Sequence, residues 1–198
     1  MTLEHDAAAR ESRNDLVLRA RGDREAFGQL YDVTYPGVFR YCLRRLFVRA
    51  VAEDVTSDVF LSVASEIRRF AGTTEEDFRR WVFRIATNEV NAYVRRRNRR
   101  RALLEAAARN GTLASAVDGT NGPSDVEMLD WPALYQAILS LKPRDQAIVV
   151  LRFFEHMSHD EIAAVLGERP ATVRVGLSRA MKNLRRVLKV DDETNTVP

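Results

Sequence analysis

The stretch from Phe78 to Arg101, FRRWVFRIATNEVNAYVRRRNRRR, constrains this chain most, because two stripes of different chemistry run along it at one helical period. Phe78, Trp81, Val82, Ile85, Ala86, Val90 and Tyr93 recur at three- and four-residue steps, which predicts an apolar face on a helix. Arg80, Arg84, Thr87, Asn88, Asn91 and Arg95 recur at the same steps on the opposite side. Arg95, Arg96, Arg97, Arg99, Arg100 and Arg101 then form a block of positive charge, with Glu89 as the nearby acid. A solvated outer face is the simpler account of a lone basic run. Two features count against it: solvated faces usually alternate in sign, and this one carries Asn and Thr, indifferent helix formers that pair well with bases and phosphates.

The rest of the 198 residues also reads as helix. A hydrophobic content of 45% supports a packed core, and no alternating runs bounded by turn pairs suggest strands. Residues 1–14 read as a flexible tail. DLVLRARG ends at Gly22, a helix stop, and Asp23 is placed to cap REAFGQLYDVTY. Pro36 stands where a new helix would begin. In AVAEDVTSDVFLSVASEIRRF, Val55, Val59, Val63 and Ile67 share one side, and Glu53, Asp54, Ser57 and Asp58 decorate the rest. These segments make a helical bundle over residues 15–109. Residues 110–130, with Gly111, Gly119, Gly122 and Pro123, read as a linker able to span about 70 Å when extended. That reach is about two turns of duplex DNA.

The second block covers 131–189, with a short tail at 190–198. Its most specific signal is Ser158-His159-Asp160-Glu161, a capping box that opens DEIAAVL, which stops at Gly167. Pro170 then starts ATVRVGLSRAMKNLRRVL. A short helix, a glycine-ended turn and a longer basic helix make the layout of a helix-turn-helix. Val173, Leu177, Ala180, Leu184 and Leu188 face inward. Arg174, Val175, Ser178, Arg179 and Lys182 face outward, where a major groove would lie.

Formal charge is only +3, so distribution rather than total argues for nucleic acid. Bases crowd residues 95–101 and 169–186, while acids gather at 53–58, 75–77 and 191–193. The single cysteine, Cys42, lies in an apolar run and reads as a buried small hydrophobe. His156 and His159 lack the further ligands of a metal site, and nothing in the sequence implies a cofactor or a catalytic nucleophile. The absence of a membrane-length apolar run or signal-like start leads us to expect no membrane insertion and a cytoplasmic location.

The order of these parts resembles that of the extracytoplasmic-function sigma factors, the minimal class of bacterial transcription initiation factor. The likeness is carried by AFGQLYDVTYPGVFRYCLRRL, AEDVTSDVFLSV, FRRWVFRIATNEVNAYVRRR, LKPRDQAIVVLRFFEHMSHDEIAAVLG and ATVRVGLSRAMKNLRRVL. It implies an all-α protein of two small helical domains, a four-to-five-helix sigma region 2 bundle and a helix-turn-helix sigma region 4, joined by a flexible linker. It further implies a non-enzymatic factor that joins RNA polymerase core and starts promoter-specific transcription. Glu53, Asp54, Ser57 and Asp58 would meet the clamp helices of the largest subunit, and a second contact would fall on the flap of the second-largest subunit. The loop from Phe70 to Asp77 and the helix after it would open the minus-ten element. Arg80, Arg84, Thr87, Asn88, Asn91, Arg95 and Arg96 would line the path of the melted strand. Thr172, Arg174, Val175, Ser178, Arg179 and Lys182 would read the minus-thirty-five element. The family commonly has Ser-Arg where Val175-Gly176 stands. An anti-sigma factor is a further implied partner. The rival class is a two-domain DNA-binding regulator that never joins polymerase; the acidic helix around Asp54 counts against it, since a simple repressor has no use for such a strip.

Overall fold

The computed structural model describes residues 2–109 and 132–194, and all regular structure in them is helical. The expected linker at 110–130 lies outside the described residues, as do Met1, Trp131 and the last residues of the C-terminal tail.

Helix α1 (Thr2–Arg19) begins well before the point where the sequence suggests a tail ending at residue 14. Ala, Glu and Arg, all strong helix formers, dominate that segment. Val17 and Ala20 anchor its end in the core, and Arg19 pairs with Asp15 at 3.6 Å. Asp23 caps α2 (Arg24–Leu46) by accepting a hydrogen bond from the Glu25 amide at 2.8 Å. That bond holds the Asp23 carboxyl below its ordinary range.

Contrary to expectation, Pro36 starts no helix; α2 runs straight through it. Pro36 is exposed, while Leu30 lies buried before it and Val38, Tyr41, Cys42 and Leu46 after it. Packing on both sides of the missing hydrogen bond keeps the helix continuous. Phe47 ends α2 in the left-handed region at φ 60, and its amide reaches the Leu43 carbonyl at 2.7 Å. This conformation, ordinarily left to glycine, is offset by burial of the ring against Tyr135, centroid to centroid 4.2 Å.

In α3 (Arg49–Glu66) Ala52, Val55, Thr56, Val59, Phe60 and Val63 are buried, and a 3-10 turn at Ile67–Arg69 leads to a loop. From that loop rises α4 (Glu75–Arg109), the long helix of the molecule. The second block contains α5 (Pro132–Leu139), α6 (Pro143–Phe153), α7 (His159–Leu166) and α8 (Pro170–Thr194). Pro143 opens α6 as its position suggested, and α8 stays helical past residue 190, where a tail was expected.

The two blocks pack together. One core joins Val38, Tyr41, Phe83 and Val90 of the first block to Ile148, Leu151, Ile162 and Val165 of the second. A second cluster gathers Ala137, Ile138, Leu141, Val149, Ala180 and Leu184 around Phe47.

Candidate nucleic-acid interface

The buried face of α4 consists of Phe78, Val82, Phe83, Ala86, Thr87 and Val90. It is rotated toward Phe83 and Thr87 relative to the stripe read from sequence, leaving Trp81, Ile85 and Tyr93 half-buried at its edge. Thr87 therefore does not face outward. Its hydroxyl lies 2.7 Å from the Tyr41 hydroxyl and bonds the Phe83 carbonyl at 2.7 Å. A short polar side chain can bond back to its own helix, so polarity alone did not reveal its direction.

Asn88, Arg95 and Arg96 are exposed on the other side. Arg80 is half-buried and pairs with Asp77 at 2.5 Å. Arg84 reaches across to the Ala164 carbonyl at the end of α7. Asn91 is engaged too, accepting from Arg45 Nη2 at 2.9 Å.

Arg45 is the residue that sequence reasoning missed. It is 2% exposed, and among the described residues its guanidinium meets neutral acceptors alone: Gln146 Oε1 at 3.1 Å, Tyr41 Oη at 2.7 Å, Asn91 Oδ1 at 2.9 Å and the Pro143 carbonyl at 3.0 Å. Gln146 and Pro143 belong to the second block, so one buried cation ties the two together. Its signal was its place one helical turn after Tyr41 and next to Leu46, on the buried side of α2. Glu155 forms a second tie, 3.4 Å from Arg44 and 3.9 Å from Arg79, which also donates to the Glu155 carbonyl. Burial pushes the Glu155 carboxyl up, against the pull of those arginines.

On α3 the side chains of Glu53, Asp54, Ser57 and Asp58 are exposed in one strip, joined by Leu61 at 69% exposure. An acidic ridge with an apolar residue at its end is suited to a basic, partly apolar partner.

The helix-turn-helix is built as its sequence suggests. The Ser158 hydroxyl accepts from the Glu161 amide at 3.2 Å, and the Ser158 amide donates to Glu161 Oε2 at 2.8 Å. Gly167 takes φ 68 and closes α7. On α8, Val173, Ala180 and Leu184 are buried, with Leu177 and Leu188 half-buried. Thr172, Arg174, Val175, Ser178, Arg179 and Lys182 are all exposed on the far side. Gly176 sits against α6: a Cβ there would lie 2.7 Å from both Arg144 Nη1 and Ile148 Cδ1. Arg144 fills that space with its fork on Glu168, at 2.6 and 2.5 Å.

The families described as "Sigma-70 region 2" and "Sigma-70, region 4" match residues 30–100 and 132–184, respectively. The sigma factor BldN of Streptomyces coelicolor is 34% identical over 178 residues, covering 89% of this chain and 66% of that protein's length. The chain belongs to the extracytoplasmic-function sigma factors. This sigma factor is also 28% identical to SigW of Bacillus subtilis, over 85% of its own length and 92% of that protein. Among solved structures, CnrH in complex with the cytosolic domain of CnrY superposes with TM-score 0.65 at 25% identity, covering 90% of this chain and 98% of that one. RpoE from Bartonella quintana, bound to the anti-sigma factor NepR, has the same fold, with TM-score 0.61 at 23% identity over 83% of this chain and 98% of that one. As a sigma factor it is a transcription factor rather than an enzyme. Among the described residues no cluster of His, Cys, Asp and Glu is placed to hold a metal ion, and no helix is long and apolar enough to cross a membrane.

Proposed function

We propose that this sigma factor joins RNA polymerase core in the cytoplasm and directs it to promoters. In this reading the first block captures and opens the minus-ten element, and the second reads the minus-thirty-five element. The observation that carries the proposal is the exposed amide-and-guanidinium side of α4, with Asn88, Arg95 and Arg96, on the same block as the exposed acidic strip of α3. One suits an unpaired, negatively charged strand, the other a basic protein surface.

Glu53, Asp54, Ser57 and Asp58 are assigned to the clamp helices of the largest subunit, with the second block meeting the flap. Arg80, Arg84, Asn88, Asn91, Arg95 and Arg96 are assigned to the melted strand, and Thr172, Arg174, Val175, Ser178, Arg179 and Lys182 to the upstream element. Thr87 keeps only an indirect part, through its buried bond to Tyr41. Holding a base out of the stack must offset about 1.4 kcal/mol per step, and stacking on protein returns about 1–3 kcal/mol per base. Capture is therefore near balance, and phosphate contacts and polymerase supply the remaining drive. Because Arg84 and Asn91 are tied to the second block and to Arg45, strand capture requires that these bonds be released. An anti-sigma factor is a further proposed partner, supported by the relatives solved with NepR and with CnrY.

The test is reconstitution with core polymerase on genomic DNA, followed by mapping of transcript starts. Specific starts sharing two spaced elements are expected; random starts, or no binding to core, would refute the proposal. On a mapped promoter, Asn88→Ala should reduce opening while leaving core binding intact, and Asp54→Arg should weaken core binding.

A further inference from the structure

Residues 1–14 read from sequence as a flexible tail, yet side chains of α1 and of the turn after it converge on one loop. Arg21 Nη2 donates to the Gly72 carbonyl, and the guanidinium lies 5.7 Å from the centroid of the Phe70 ring. Asn14 Oδ1 accepts from the Glu75 amide at 2.8 Å, capping α4 from outside its own chain segment. Arg13 reaches Glu75 at 3.2 Å. Within the loop, the Thr73 and Thr74 amides donate to Asp77 Oδ2, each at 3.3 Å. Phe70 stacks on Trp81 at 4.7 Å, and Gly72 is packed so closely that a Cβ would meet the Phe70 ring and lie 2.6 Å from Asp77 Cβ. Among the described residues none bonds the buried Arg21 Nε.

We infer that Arg21 and Asn14 are positioning residues for promoter opening: they brace the loop at residues 70–77 and the first turn of α4 in the shape that meets the melting strand. The inference rests on the proposed function and adds α1 to its machinery. A braced loop is already ordered when the strand arrives, so its ordering entropy is not charged to opening.

The experiment uses full-length protein with core polymerase on a promoter mapped as above, supplied as closed duplex and as a bubble pre-opened at the minus-ten element. Opening is read by permanganate reactivity of unpaired thymines. Arg21→Ala should lower duplex opening about tenfold, the effect of one hydrogen bond from a charged donor. Asn14→Ala should lower it about fivefold, the effect of a lost cap. Asn14→Asp, which keeps the accepting oxygen, should open like wild type. Core binding and the bubble template should be unaffected in all. Wild-type opening by Arg21→Ala and Asn14→Ala, a defect that persists on the bubble, or an Asn14→Asp as impaired as Asn14→Ala would overturn the inference. Should Arg21→Ala fail to fold, the Asn14 pair decides alone. Asn88→Ala is run beside them: if it too opens normally, the proposed strand path fails; if it alone is impaired, only the brace does.

Discussion

Replacing Gln146 by Leu tests the tie between the two blocks. The change removes the acceptor of Arg45 Nε, 3.1 Å away, and the donor to the Arg45 carbonyl, 3.2 Å away, at a site where Gln146 is 6% and Arg45 2% exposed. A hydrogen bond from a charged donor contributes about 1.5–3 kcal/mol and a neutral one about 0.5–1.5 kcal/mol, so Gln146→Leu should destabilise the protein by about 2–4 kcal/mol. For a chain of this size that lowers the melting temperature on the order of 10 °C. The loss is asymmetric, because leucine leaves a buried cation short of an acceptor, whereas removing both partners does not. A double-mutant cycle with Arg45→Met, by urea denaturation followed by circular dichroism, should therefore give a coupling of about 1.5–3 kcal/mol. Additivity within about 0.5 kcal/mol would refute the claim that the Arg45–Gln146 contact joins the blocks.

Glu155 gives a pH prediction. Its folded carboxyl titrates above the ordinary 4.5, so the folded state holds the extra proton, and stability from this group is present below that value and lost as pH rises through the raised one. Glu155→Gln should remove that slope: wild type should gain stability relative to the variant as pH falls from 7 toward about 4.5, and parallel profiles would count against it. His156 occupies φ 56 in the turn after α6. His156→Gly should relieve about 1 kcal/mol of left-handed strain and raise the melting temperature by about 2–4 °C; a lower value would show that the imidazole contributes packing. Gly176→Ala places a methyl 2.7 Å from Arg144 and Ile148, which should cost about 1–3 kcal/mol of overpacking against about 1 kcal/mol of gained helix propensity. A net stabilisation in thermal denaturation would mean that Arg144 moves aside freely.

Local chemistry determined much of what was legible in the sequence. The Ser158–Glu161 box, Gly167 and Pro170 act within a few residues, so they placed α7, its turn and α8 without outside help. The outward set on α8 followed from helical period alone, as did the exposed acidic strip on α3. Tertiary structure decided what period could not. Thr87 faces inward because the Tyr41 hydroxyl waits there, Pro36 lies mid-helix because packing holds α2 on both sides of it, and Asn14 caps a helix some sixty positions away in sequence. Arg45 shows the limit most plainly. As text it is one arginine among many in a basic chain. It becomes the tie between two blocks only where Asn91, Gln146 and the Pro143 carbonyl converge on it beside Tyr41, and no local rule relates the first three to Arg45. The sequence by itself determined most of the helices and which chemistry each carries, because those depend on neighbours in the chain; the continuity of α2 through Pro36 and the partners of each polar group were decided only by folding, because they depend on neighbours in space.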